Sequence, residues 1–213
     1  PDYFETNVVA LSRLVVELSK RTYLSRFIQI GSSEVYGSPY HAAKETDLLN
    51  PTSPYSVSKA AFDQYLESMW RTQTFPMNII RPSNCYTEGQ QLYRVIPRAI
   101  IHAIAKKKLP LHGGGRAQKS YLHATDLSRA IWHVITDAPL GTIYNVGPDE
   151  PISIRELMVK VASTCRVAFE DLCEDVPDRM GQDARYYLDM TRIKEFGWRQ
   201  SISLESGLRE MRE

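Results

Sequence analysis

None of the eleven glycines in this 213-residue chain stands in a G-x-G-x-x-G turn. The close backbone approach that cradles a pyrophosphate in a dinucleotide fold is therefore not written in it. Cysteine is scarce. Cys85, Cys165 and Cys173 are odd in number and show no CxxC spacing, which argues against a disulfide framework and against a structural zinc site. No run approaches the roughly 18 to 20 consecutive apolar residues of a membrane span, and no charged-then-apolar signal opens the chain. A protein of the reducing cytoplasm, without membrane partners, is expected. Neither sign of charge dominates, since 26 basic residues meet 25 acidic ones for a net +1. The one basic run, Lys106 to Lys108, reads as a solvated helix end, so no face for nucleic acid is expected. His102, His112, His123 and His133 lack ligand spacing to any carboxylate or cysteine, so no metal site is expected.

What is present is a core-forming composition, 43% hydrophobic and 24% charged, enough for one large domain, or one with a small lobe. Phe4, Val8, Leu11, Val15 and Leu18 recur at spacings of three and four, which predicts a helix from Phe4 to Lys20. Arg26 to Ile30 is a short apolar run that stops at Gly31-Ser32-Ser33, as a buried parallel strand does. Ser53-Pro54 opens a second long helix running to about Thr74, and Met77 to Ile80 is the next strand, broken by Arg81-Pro82. Strand, crossover helix and strand make a βαβ unit with a right-handed crossover. Further on, helices are expected near Tyr93 to Lys106, Thr125 to Thr136 and Ser153 to Thr164, with a strand at Thr142 to Val146. Gly113-Gly114-Gly115 reads as a turn, because no helix start with a lysine and hydroxyl follows it. No internal repeat is found.

Tyr55 and Lys59 stand four apart at the start of the second helix, on one face. An ammonium held there is expected to lower the pKa of the phenol, so that it can take and return a proton near neutral pH. Ser32, at the end of the preceding strand, can hydrogen-bond the same substrate hydroxyl. A YxxxK match alone is weak, and Ser32 and Ser33 have a plainer, less favoured reading as caps of a turn after the strand. Cys85 reads as a small buried apolar residue.

Context strengthens the match. Gly31-Ser32-Ser33-Glu34-Val35-Tyr36-Gly37, then Tyr55 to Lys59, then Arg81-Pro82-Ser83-Asn84-Cys85-Tyr86 resemble, in order and spacing, the segments of the extended short-chain dehydrogenases. Val95-Ile96-Pro97, Leu109-Pro110-Leu111, Gly113 to Lys119, Tyr144 to Gly147 and Asp178 to Tyr186 narrow the resemblance to the dTDP-glucose 4,6-dehydratases and near relatives. It covers essentially the whole chain.

That resemblance implies an α/β fold: the later part of a Rossmann-like, doubly wound parallel sheet with a smaller α/β substrate-binding lobe. Residues 1–90 would be the C-terminal half of an NAD-binding domain with the catalytic groups. Residues 91–213 would be mainly the substrate lobe, interleaved with the last sheet elements at about 125–150. An upstream, glycine-rich segment on the order of 90 residues is expected by the same analogy. The implied activity is an NAD-dependent 4,6-dehydration of a nucleotide-diphosphate sugar. Ser32 would bond the sugar C4 oxygen, Tyr55 would remove its proton, and Glu34 would remove the C5 proton. Lys59, with Tyr55 and Pro82, would hold the nicotinamide end. Ser33, Asn84, Lys119, Arg179 and Tyr186 would line the substrate pocket. The helices at 4–20 and 54–74 would pair across a two-fold axis into a homodimer.

Two positions depart from the pattern. Ser33 stands where the dTDP-glucose enzymes carry an aspartic acid that protonates the leaving hydroxyl, giving a Ser-Ser-Glu triplet closer to GDP-mannose dehydratases and UDP-glucuronate decarboxylases. Lys119 stands where an arginine is usual, and a lysine cannot make the planar bidentate contact. Ser33 leaves open a 4-epimerase or decarboxylase of the same family, though Lys119 reads as a phosphate contact and weighs against decarboxylation. The absent glycine-rich turn and the two long helices leave a catalytically silent fragment acting only in assembly as a further alternative.

Overall fold

The structure, a computed structural model, describes residues 2–178 and 185–213. The chain opens on one continuous helix made of α1 (Asp2–Phe4), a π-helical stretch (Glu5–Ala10) and α2 (Leu11–Ser19). There follow β1 (Phe27–Ile30), a 3-10 turn (Ser33–Tyr36), α3 (Pro54–Gln73), β2 (Met77–Pro82) and β3 (Asn84–Tyr86). Next come α4 (Val95–Ile104), β4 (Leu109–His112), a second 3-10 turn (Gly113–Gly115), β5 (Gln118–Lys119) and β6 (Tyr121–His123). The remainder is α5 (Ala124–Thr136), β7 (Ile143–Val146), β8 (Ile152–Ser153), α6 (Ile154–Cys165), α7 (Phe169–Leu172), β9 (Cys173–Val176), α8 (Thr191–Glu195) and α9 (Leu204–Arg212).

The main sheet has the parallel order β1-β2-β7. Period-two alternation along β2 sends Met77 and Ile79 to one face, against Val15 of α2 and Phe62, Leu66 and Met69 of α3. It sends Ile80 to the other face, where Tyr144, Val146, Ala130, Val134 and Trp198 gather. Each fully buried side chain of this size contributes roughly 1.5 to 3 kcal/mol. A third apolar cluster lies among α4, α6 and α9, centred on Ile96, Leu157, Val161 and Leu208, with Leu109 and Leu111 of β4 against it.

β2 does not break at Arg81-Pro82 as the proline suggests; it runs through both, with Arg81 opposite Asn145 and Pro82 opposite Val146. The reason lies in the ladder. Ile79 and Ser83 donate to the β7 side, at Thr142 and Val146, so Pro82 would donate to the β1 side. β1 pairing has ended there, its last pair being Ile30 with Ile80. A missing N–H costs little at such a place. Pro110 is tolerated similarly in β4, which belongs to a two-stranded parallel pair with β9.

Two short pairings steer the chain beneath the sheet's carboxyl ends: β3 with β6 in parallel, and β5 with β8 antiparallel. Asp126, fully buried at the start of α5, accepts from Ser201 N at 3.0 Å, Ser201 Oγ at 2.7 Å and Ile202 N at 3.0 Å. It thereby fastens the segment leading into α9 to the sheet side of the molecule.

Candidate active site

The site forms where β1 and β2 end. Ser32 adopts an extended conformation and caps the Ser33–Tyr36 turn, its Oγ accepting from Glu34 N at 3.2 Å. Gly37 closes the turn with φ 68° and ψ −132°, a conformation that requires glycine. Ser33 is buried in the turn and Glu34 is half-buried.

α3 starts at a capping box in which Ser53 Oγ accepts from Ser56 N at 3.1 Å and Ser53 N donates to Ser56 Oγ at 3.0 Å, with Pro54 in the first turn. Tyr55 therefore sits in the first helical turn, where the positive end of the helix dipole favours a phenolate. Burial, followed by the Glu34 carboxylate, pushes the Tyr55 phenol above its ordinary value, while the nearby Ser32 hydroxyl and the Arg94 charge act the other way. The Tyr3 ring meets Tyr55 edge-on at 5.6 Å, and Asn7 Nδ2 donates to Ser58 Oγ at 3.0 Å, so the first helix backs this turn.

The expected lowering of the Tyr55 pKa by Lys59 is not what the chain builds. Lys59 is on the expected face, one turn along, but its Nζ donates to the Ile30 carbonyl at 3.0 Å. Burial pulls its own pKa down, and Asp63 opposes that. The leading charges on the phenol are the Glu34 carboxylate, which raises it, and Arg94, which lowers it.

Glu34, Asn84, Lys119 and Tyr186, four of the residues singled out above, line one cavity of about 480 Å³. Lys119 Nζ lies 3.4 Å from the centre of the Tyr186 ring, a cation–π contact that fixes where the ammonium points. Tyr186 is held by Ser120 Oγ donating to its carbonyl at 2.9 Å and by its own N–H donating to Gln118 O at 3.1 Å. Arg98 also lines the cavity. Spacing gave a hint of it: Arg94 and Arg98 are four apart at the head of α4, on the face that turns to the site. Pro82 ends β2 and is buried. Arg179 lies outside the described residues. Among the described residues no group of three or more His, Cys, Asp or Glu is placed to hold a metal ion, and no helix is long and apolar enough to cross a membrane.

A half-buried phenol and ammonium at the carboxyl ends of parallel strands, beside a cavity lined with cations and a carboxylate, define the α/β class that binds nucleotides at this edge of the sheet. Comparison with known proteins agrees. The profile of the NAD dependent epimerase/dehydratase family matches residues 1–147, and the chain belongs to that family. It is 31% identical over 210 residues to a dTDP-glucose 4,6-dehydratase of Streptomyces niveus, covering 98% of this chain and 62% of that protein. It is 33% identical over 208 residues to the low-salt glycan biosynthesis protein Agl12 of Haloferax volcanii, covering 97% of this chain and 66% of that one. The crystal structure of dTDP-glucose 4,6-dehydratase from Bacillus anthracis in complex with NAD superposes with a TM-score of 0.92 at 31% identity, over 98% of this chain and 67% of the other. The chain thus spans about two thirds of the length of these relatives.

Proposed function

We propose that the protein carrying this chain is an NAD-dependent nucleotide-sugar 4,6-dehydratase. The observation that carries this reading is the juxtaposition of Ser32 and Glu34, on the turn after β1, with Tyr55 at the head of α3: Ser32 Oγ caps the turn by accepting from Glu34 N, and the Glu34 carboxylate acts on the phenol and lines the cavity. Relatives named dTDP-glucose 4,6-dehydratase support it.

The chain's residues suit the nicotinamide end of the cofactor, because Lys59 presents an ammonium at the end of β1. Lys59, Tyr55 and Pro82 would hold that end, residues 1–90 forming the cofactor-binding half and residues 91–213 mainly the substrate lobe. NAD, when bound, supplies the acceptor for the C4 hydride and its return donor to C6. Tyr55 takes the C4 hydroxyl proton while Ser32 steadies the oxygen. With C4 oxidised, the C5 proton is acidic, and Glu34 takes it. The same carboxyl then gives that proton to the C6 hydroxyl, which leaves as water, so that Ser33 need not act as an acid. Asn84, Lys119, Tyr186 and Arg98 bind the nucleotide diphosphate, the two cations facing its phosphates.

Leu14 and Val16 on α2 and Val57 on α3 are exposed apolar side chains, which favours these helices as the homodimer face. The activity is tested by incubating the intact protein and NAD with dTDP-, UDP- and GDP-hexoses and analysing products by mass spectrometry. Loss of water to a 4-keto-6-deoxy sugar from one of them supports the reading, and its absence from all of them refutes it.

A further inference from the structure

Beneath the reacting groups runs a buried ionic chain. Asp63, one helical turn beyond Lys59 on α3, is fully buried, and its Oδ2 accepts from Arg81 Nε at 2.8 Å. Arg81, 1% exposed in β2, donates through Nη1 to Tyr36 Oη at 2.8 Å, with its guanidinium 5.1 Å from the Tyr36 ring centre. The Tyr36 hydroxyl donates in turn to Asn145 Oδ1 on β7 at 2.9 Å, and Asn145 Nδ2 donates to Ala43 O at 2.8 Å.

A buried ion pair is a poor way to gain stability, since desolvation offsets the attraction. Its strength is geometric. The planar guanidinium fixes the angle between its two partners, and here they belong to α3, which carries Tyr55 and Lys59, and to the Ser33–Tyr36 turn, which carries Glu34. Asp63 Oδ1, buried and without a hydrogen-bond partner among the described residues, lies 3.2 Å from where a Cβ on Gly31 would stand. Its charge therefore sits directly under the strand end to which Lys59 is bonded.

We propose that Asp63, Arg81 and Tyr36 are positioning residues that hold the Glu34 turn in register with Tyr55 and Lys59. The proposal rests on the reading of Glu34 and Tyr55 as reacting groups, and its test separates the two. The titration of Tyr55, which faces Glu34 from the turn, Arg94 from the segment before α4 and Tyr3 from α1, is followed by the 13Cζ resonance in the intact protein without ligand. Glu34→Gln lowers the midpoint in the native background. In the Tyr36→Phe background that shift shrinks by about half or more, because the turn is no longer held. Asp63→Asn, which keeps the side-chain shape, gives the same loss of coupling and serves if the phenylalanine variant folds poorly. On the productive nucleotide hexose, Tyr36→Phe lowers kcat by about 10- to 100-fold, with KM changed by less than about threefold. An undiminished Glu34→Gln shift in both variants, with only the melting temperature reduced, overturns the positioning role. If no hexose is turned over, the dehydratase reading fails while the resonance measurement still decides this one.

Discussion

The Lys59 ammonium, one helical turn from the Tyr55 phenol, is bonded to the Ile30 carbonyl at 3.0 Å, and the charge that opposes the effect of burial on it is that of Asp63. Its work is thus directed at the strand end. Lys59→Met is expected to weaken NAD binding to the intact protein by about tenfold or more, the scale of one lost charge-assisted bond, as read by calorimetry. In the absence of cofactor the same substitution leaves the Tyr55 titration midpoint in place. A rise of that midpoint on losing Lys59 would show that the lysine acts on the phenol after all.

Alkaline stability follows from the buried tyrosines. Burial pushes Tyr36 up to about 12, and its ordinary value is 10.0. A folded-state pKa above the unfolded one means the folded form holds its proton longer. Stability is then full below pH 10 and falls as pH rises from 10 to 12. Tyr36 contributes at most about 2 to 3 kcal/mol to that fall. Urea melts at pH 9, 10 and 11 should show a shallower decline for Tyr36→Phe than for the native chain, although the variant starts lower because Arg81 and Asn145 each lose a partner.

Gly37 sets the exit of the Ser33–Tyr36 turn. A Cβ there would stand 2.4 Å from the Asn50 carbonyl oxygen at a φ of +68°. Gly37→Ala is expected to cost about 2 kcal/mol or more, through the backbone strain and the movement of segment 50. Thermal melts check this. Activity should fall further than stability does, since Glu34 and Ser32 ride on the same turn.

Lys119 and Arg98, which line the cavity, are proposed to face the diphosphate. Replacing either by alanine is expected to weaken binding of a nucleoside diphosphate by about tenfold, and Lys119→Arg to preserve it. Equilibrium titration with UDP, GDP and dTDP measures this, and raised salt should shrink the difference. Tyr186→Ala should act like partial loss of Lys119, because the ring seats the ammonium 3.4 Å from its centre.

Much of the architecture was legible because it rests on local patterns. The spacing of Phe4 to Leu18, the Ser53-Pro54 helix start and the apolar runs at 27–30 and 77–80 each predict their element to within a few residues. The pairings β3 with β6 and β4 with β9 were not legible. They join three- and four-residue stretches far apart in sequence, and such stretches carry no period of their own. Pro82 misled because its cost depends on whether a neighbour strand is still there. At the site, Tyr55, Lys59 and Glu34 were recognisable from spacing and resemblance. What their charges act on was not, because that depends on where Asp63, Arg94 and Ile30 lie after folding.

The proposed dehydration turns on Glu34 as the group that removes the C5 proton. The direct measurement is Glu34→Gln in the intact protein, with C4 oxidation followed by transient cofactor reduction and elimination by deuterium incorporation and product mass. The expected result is that oxidation survives, its alkaline limb moved to lower pH because a negative charge near Tyr55 is gone, while elimination falls by about a hundredfold or more. Equal loss of both steps, or full retention of both, would contradict it.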